Sequence, residues 1–255
     1  MTSSPYLHKL FALDDRTALV TGGSSGIGQA IATALAGAGA HVIVAARTQS
    51  AIDDTVAAIR AGDGSADGVV ADLSTRAGAH GLADAVSGVD IVVNSAGINL
   101  RPPMRDLDET TWDATMSVNL DAPFVLGQRL APAMAERGYG RLIHLSSQQA
   151  HRAFASSGAY GASKAGLEGL ARSQAEAWSS HGVTANVLVP GFVQTPFNRA
   201  LSSDPAAVEA LAARTLIGRN GLADDFAGVA VFLAGPASAY VTGQAIAVDG
   251  GFSVH

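Results

Sequence analysis

Short runs of β-branched and other apolar residues recur along this chain, each followed by a longer Ala-rich stretch with helical spacing. Ala18-Leu19-Val20 precedes a helical pattern from Gly26 to about Ala38, in which Ile27, Ile31 and Leu35 fall at every fourth position. His41 to Ala45 reads as the next strand, and Ile52, Val56 and Ile59 mark the next helical stripe. Val69-Val70-Ala71, Ile91-Val92-Val93, Leu142-Ile143-His144-Leu145, Val187-Leu188-Val189 and Ala245 to Val248 read as further strands. Strands that are apolar on both faces and separated by helices require a parallel sheet covered on both sides. Right-handed crossovers then make the fold α/β, a doubly wound Rossmann-type parallel sheet with helices on both faces.

No Pro/Ser-rich linker, low-complexity tract or fixed-period repeat divides the chain, so residues 1–255 read as one domain. With 48% apolar and only 15% charged residues, a domain of this size buries a large core. The formal charge of −6, with no extended basic run, argues against a nucleic-acid partner. Cysteine is absent, which excludes a disulfide framework, a thiolate nucleophile and a Cys-based zinc site. Met1 to Asp15 lacks the charged start and apolar centre of a signal peptide, and no apolar run is long enough for a membrane span. A cytoplasmic protein without membrane contact is the expectation.

Ligands of such a sheet bind beyond the carboxyl ends of the strands, near the point where strand order reverses. The first strand leads into Thr21-Gly22-Gly23-Ser24-Ser25-Gly26-Ile27-Gly28 and then a helix. Glycines there allow a tight turn and let backbone N–H groups approach a pyrophosphate, while the helix N-terminus adds partial positive charge. Ser24 and Ser25 add hydroxyl donors. At the end of the second strand stands Ala46, followed by Arg47, where an acidic residue would accept from a ribose 2′-hydroxyl. A guanidinium instead pairs with a 2′-phosphate, which favours NADP(H) over NAD(H). Asp72 is placed either to accept from the adenine amino group, with Leu73 packed on the ring, or to cap the following helix. Small residues in Asn94-Ser95-Ala96-Gly97 would let a nicotinamide-side ribose lie against the backbone.

Tyr160 and Lys164 are four apart in a helical pattern running from Ala159 to Trp178, so they share a face. A free phenol has a pKa near 10, too high for efficient proton transfer at neutral pH. An ammonium about 4 Å away, at an effective dielectric near 20, contributes roughly 4 kcal/mol, enough to bring the phenol toward neutrality. Ser147 ends the strand before that helix, where its hydroxyl would steady a developing oxyanion. Ser146 projects from the opposite face.

The set Thr21-Gly22-x-x-x-Gly26-x-Gly28, Asn94-Ser95-Ala96-Gly97, Asn119, Ser147, Tyr160-x-x-x-Lys164 and Pro190-Gly191 resembles the tyrosine-dependent short-chain dehydrogenase/reductase family over about Asp14 to Gly251. The resemblance implies Tyr160 as acid/base, Lys164 as a ribose ligand that depresses the tyrosine pKa, and Ser147 as the orienter of the substrate carbonyl. It also implies that Asn119 holds a water in a proton relay through Lys164. The segment Pro190-Gly191-Phe192-Val193-Gln194-Thr195 would meet the nicotinamide carboxamide, and the chain would form a homotetramer through long helices and a last strand at Ala245 to Val248. The sequence departs from the family at Ser95, where a second Asn is usual, and at Thr184, where an Arg is common.

Substrate residues are expected after Gly97, after Ser147 and after Pro190: Arg101 as a carboxylate clamp, Gln149, His151 and Arg152 next, and Asn198 and Arg199 in a mobile lid. Gly97-Ile98-Asn99-Leu100-Arg101-x-Pro103 and Asn198-Arg199-Ala200-Leu201-x-x-Asp204-Pro205, with Ala213-Arg214-Thr215 and Gly218-Arg219, resemble the gluconate 5-dehydrogenase and keto-gluconate reductase branch. The alternatives are a 3-oxoacyl-carrier-protein reductase or broad ketone reductase of the same fold, and a non-catalytic NADP(H)-sensing regulator. Seven scattered His residues, with no H-E-x-x-H, give no metal-hydrolase pattern.

Overall fold

Apolar runs too short for helices and buried on both faces become the strands of one parallel sheet. The computed structural model of the chain describes residues 4–254, apart from the side chain at position 200. The strands are β1 (Thr17–Thr21), β2 (His41–Ala46), β3 (Ser65–Val70), β4 (Ile91–Asn94), β5 (Gly140–Leu145), β6 (Val183–Pro190) and β7 (Ala245–Val248). The helices are α1 (Pro5–Phe11), α2 (Gly26–Gly37), α3 (Gln49–Ala61), α4 (Arg76–Ala85), α5 (Glu109–Met116), α6 (Ala122–Glu136), α7 (Gly158–Trp178), α8 (Arg199–Ser202), α9 (Pro205–Ala213) and α10 (Ala227–Ala234). All strand pairs are parallel, in the order β3-β2-β1-β4-β5-β6-β7. Strand order reverses between β1 and β4, which opens a crevice above their carboxyl ends.

The pleat sends successive side chains to opposite layers. Ala18, Val20, Val42 and Val44 pack with Ile31 and Leu35 of α2, Ile52 of α3 and Leu233 of α10. Leu19, Ile43, Val92 and Leu142 pack on the other side with Leu82 of α4 and Leu126, Leu130 and Met134 of α6. Central strands are therefore buried along their length, β4 and β5 entirely and β1 and β2 but for end residues, as their apolar sequences require.

Two elements differ from the sequence reading. The third strand begins at Ser65, not Val69, pairing Ser65 with His41 and Val70 with Ala46. Its first half is polar because it is a sheet edge: Asp67 faces solvent and takes Arg60 at 2.7 Å. Helix α1 falls in a stretch for which the sequence reading gives no element, and none of its residues is buried. Among the described residues no helix is long and apolar enough to cross a membrane.

Ile31 and Leu126 are both fully buried, one in each layer. Truncating either to Ala is expected to cost about 2–5 kcal/mol in chemical denaturation. Because the sheet separates them, the double variant should lose the sum within about 0.5 kcal/mol.

Candidate active site

The glycine turn after β1 is shaped by backbone contact as much as by any ligand. Gly22 has φ +66°, and a Cβ there would lie 2.9 Å from backbone atoms of Ala96 in the loop after β4. A Cβ at Gly28 would lie 2.4 Å from the Gly22 carbonyl oxygen and 2.8 Å from Ser95 Oγ. The turn is thus folded tightly against the Ser95–Gly97 loop, and Ser95, the departure from the family's usual Asn, is the small side chain against Gly28. The N-cap of α2, Ser25, makes no side-chain bond to the first turn, so the first N–H groups of the helix stay open toward the crevice.

That crevice has a volume of about 1350 Å³. One end is formed by Gly22, Ser24, Ser25, Gly26, Ile27 and Gly28, with Arg47, Asp72 and Leu73 beyond them. The middle is bounded by Ala96 and Gly97 on one side and Pro190, Gly191, Val193 and Thr195 on the other. Arg47 lies near enough to help hold the Asp72 carboxyl below its usual range, although the main cause is the Ser74 amide, which donates to Asp72 Oδ1 at 3.0 Å. Asp72 does not cap the next helix; Thr75 does, accepting from Gly78 N at 3.1 Å. An open helix N-terminus and, beside it, the Arg47 guanidinium in a crevice of this size fit a dinucleotide bearing phosphates.

Asn94 stands behind this crevice rather than in it. Its Nδ2 donates to His144 Nδ1 at 3.1 Å, and His144 Nε2 donates to Gln174 Oε1 at 2.8 Å. The amide oxygen of Gln174 can only accept, which assigns the proton to Nε2. His144 is fully buried, and burial lowers its pKa to about 4, so it stays neutral. The Asn94 side chain thus serves a buried polar chain from β4 through β5 to α7, and what this residue can offer a cofactor is its backbone.

At the far end of the crevice, Ser147, Tyr160 and Lys164 converge. Tyr160 is 6% and Lys164 4% exposed, both on the buried face of α7. Lys164 Nζ donates to the Leu145 carbonyl at 2.7 Å, an acceptor left free where β5 ends. It lies 5.6 Å from the centre of the Tyr160 ring and 3.6 Å from where a Cβ of Gly97 would stand. Ser146, as expected, faces away, its hydroxyl donating to Glu168 at 2.7 Å.

The electrostatic expectation for this pair is corrected. Burial pushes the Tyr160 phenol up to about 12, against smaller lowering effects from a Ser147 hydrogen bond and the Arg101 charge. Burial likewise lowers Lys164 to about 8. At this separation, with the ammonium turned to a carbonyl, desolvation outweighs ammonium–phenol attraction.

Asn119 sits in a π-helical turn, Ser117–Asp121, between α5 and α6. Such turns cluster at functional sites, and nothing in the local sequence announces this one. Its Oδ1 accepts from Ile98 N at 2.9 Å, and its Nδ2 donates to Ile98 O and Ser163 Oγ, both at 3.0 Å. The side chain clamps the loop after Gly97 to α7.

Of the expected substrate residues, Arg101, Ser147, Gln149 and Asn198 line the crevice. Arg101 spends one donor on Ala155 O at 2.6 Å, and Asn198 ties the start of the lid to Val193 O at 3.0 Å. His151 does not line it. Its ring turns to Glu168, at 3.0 Å, because a buried carboxylate there is the stronger attractor. Arg152 is likewise engaged elsewhere, on the Phe252 and Ser253 carbonyls. Sequence reading missed the apolar wall of Phe154, Phe197, Leu201, Leu211 and Phe252. Phe154 and Phe252 stack at 6.3 Å, and this wall joins residues about a hundred positions apart, a proximity no local pattern carries.

Comparison with known proteins agrees with this geometry. A family model described as enoyl-(acyl carrier protein) reductase matches residues 22–253. The chain is 38% identical to the 2-dehydro-3-deoxy-D-gluconate 5-dehydrogenase of Bacillus subtilis, covering 97% of this chain and 98% of that one. It is 37% identical to the rhamnolipids biosynthesis 3-oxoacyl-[acyl-carrier-protein] reductase of Pseudomonas aeruginosa, covering 96% and 99%. A solved gluconate 5-dehydrogenase from Burkholderia cenocepacia, in complex with NADP and tartrate, superposes with a TM-score of 0.92 at 36% identity, covering 98% and 99%.

The two buried groups give opposite pH dependences to the ligand-free protein. Between about pH 8 and 10.5 the unfolded chain keeps the Lys164 proton that the folded chain has lost, so stability rises with pH there. Between 10 and about 12 the folded chain keeps the Tyr160 proton, so stability falls. Urea denaturation across this range should show that Lys164→Met removes the rise and Tyr160→Phe lessens the fall, the remainder belonging to Tyr139, whose phenol burial also raises.

Proposed function

The chain belongs to the short-chain dehydrogenase/reductase family, and on that premise we propose that it interconverts a secondary alcohol and a ketone using NADP(H) in preference to NAD(H). It is an oxidoreductase acting on CH–OH groups. The observation that carries the reading is the meeting of Ser147, Tyr160 and Lys164 in the crevice that the glycine turn opens. The dinucleotide supplies the hydride. In reduction, hydride adds to the carbonyl carbon while the phenol of Tyr160 gives its proton to the oxygen; oxidation reverses both. A phenol kept protonated by burial suits the reductive direction. Ser147 holds the oxygen on which charge develops, and Lys164 keeps a cation beside the phenol and the ribose. Asn119 acts by clamping the Ile98 loop.

NADP(H) preference rests on Arg47 at the end of the crevice, and solved relatives carry NADP. For the substrate, we read a sugar acid such as gluconate/5-ketogluconate. Support comes from Arg101, whose charge reaches Tyr160 and whose remaining donors match a carboxylate, and from relatives named for gluconate chemistry. A second reading, a 3-oxoacyl-carrier-protein or broad ketone reductase, is favoured by the apolar wall of Phe154, Phe197 and Leu211 and by the Pseudomonas relative. With Tyr160 and Lys164 both in place, a purely NADP(H)-sensing regulator is the weakest alternative. A cytoplasmic homotetramer completes the proposal, supported by β7, an unpaired sheet edge whose Ala245 and Ala247 are exposed.

Three outcomes test this reading. Tyr160→Phe should abolish turnover in a 340 nm assay and leave NADPH affinity intact; retained turnover would refute the proton-transfer role. Arg47→Ala should weaken NADPH binding roughly 10- to 100-fold, the worth of a charge-assisted contact, with NADH affinity unchanged. Arg101→Ala should raise KM for 5-ketogluconate by a similar factor of roughly 10–100 and spare an uncharged ketone; equal KM values would transfer the assignment to the second reading.

A further inference from the structure

Glu168 lies one helical turn beyond Lys164 on α7, is 5% exposed, and has no part in the proton-transfer set. Its Oε1 accepts from Ser146 Oγ at 2.7 Å and pairs with His151 Nε2 at 3.0 Å. Ser146 immediately precedes Ser147, and His151 closes the short 3-10 turn Gln148–Ala150 that follows it. A single carboxylate oxygen therefore receives both ends of the turn that carries Ser147. Within the turn, the Ser147 carbonyl accepts from Ala150 N at 2.9 Å, and Ser147 Oγ accepts from Gln149 N at 3.2 Å. The far side is tied down separately, Gln148 Nε2 donating to Asp249 Oδ2 at 2.7 Å.

Burying a carboxylate is costly, and an apolar residue of similar size often stabilises a fold as well. What the carboxylate adds is direction. It fixes two points on the Ser147 turn relative to the helix that bears Tyr160 and Lys164. A group that must meet a developing oxyanion needs placement within about 0.5 Å, which its own local bonds do not secure.

We propose that Glu168 is a positioning residue: by holding Ser146 and His151 together, it sets where the Ser147 hydroxyl stands over the reacting oxygen. The proposal rests on the reading of Ser147 as the group that takes that oxygen. It also explains why His151, which follows the catalytic serine so closely, faces away from substrate.

The test places Glu168→Ala and Glu168→Gln in the wild type and in a Ser147→Ala background, using the full-length protein, NADPH and its best ketone substrate. In the wild type, Glu168→Ala should lower kcat roughly 10- to 100-fold, the cost of an ångström-scale misplacement, with the NADPH Kd unchanged. Glu168→Gln keeps an acceptor for Ser146 but loses the charge facing His151, and should fall between. In the Ser147→Ala background the same changes should alter kcat by less than about 2-fold, because the group they act through is gone. An equal fold-loss in both backgrounds overturns the proposal. Hydrogen exchange provides a readout independent of turnover. Amides 149–152 should exchange faster in Glu168→Ala while β5 is unchanged, and unaltered exchange over that turn also overturns it. Should Tyr160→Phe keep full activity, the proton-transfer role of Tyr160 falls, while the exchange result still decides whether Glu168 holds the turn.

Discussion

A single buried ammonium organises the functional end of this molecule. Lys164 is 4% exposed, and the cost of desolvating it is visible in a pKa lowered to about 8. It is tolerated because β5 ends beneath it and offers the Leu145 carbonyl at 2.7 Å. The ammonium can reach that carbonyl only if α7 packs closely on β5 and β6, and the loop after β4 passes it in van der Waals contact at Gly97. The catalytic helix, the strand end and the cofactor-side loop are thus fixed by one charge and its acceptor.

Around that charge the polar interior is arranged as braces rather than as isolated bonds. Asn94, His144 and Gln174 join β4, β5 and α7 in one neutral chain. Asn119 ties the loop after β4 to α7 through Ile98 and Ser163. Glu168 ties the Ser147 turn to the same helix. Each bracket ends on α7, so the helix that carries Tyr160 is the common reference for the groups around the reacting bond. At the opposite ends of the strands the polar residues have no such arrangement. Tyr139 lies between the guanidiniums of Arg16 and Arg141 at 3.7 and 4.2 Å, with Asp90 holding Arg16 and Arg137, a cluster that closes the base of the sheet.

Much of this was legible in the sequence because the relevant signals are local. Apolar runs such as Ile91-Val92-Val93 declare buried strands, the glycine turn declares its shape, and the four-residue spacing of Tyr160 and Lys164 declares a shared helix face. What escaped is non-local. The polar half of β3 reads as a loop until its position at the sheet edge is known. His151 was expected at the substrate because it follows Ser147; its partner, Glu168, lies a helix away. The phenol was expected near neutrality from the ammonium alone, yet burial, which depends on the whole fold, carries it the other way. Asn119 was placed by resemblance, but the π turn that presents it and the bonds that occupy it were visible only in three dimensions.

Tyr160 holds its proton tightly in the ligand-free protein and yields it when further positive charge arrives beside it. The chain has four tyrosines, and the resonance of Tyr160 is identified by its loss in Tyr160→Phe. With tyrosine labelled at the ring Cζ carbon, a carbon NMR titration of the free protein should place this resonance's midpoint near pH 12. Bound oxidised NADP, with its cationic nicotinamide ring, should move the midpoint clearly down. A midpoint that stays near 12 in the complex would contradict the claim.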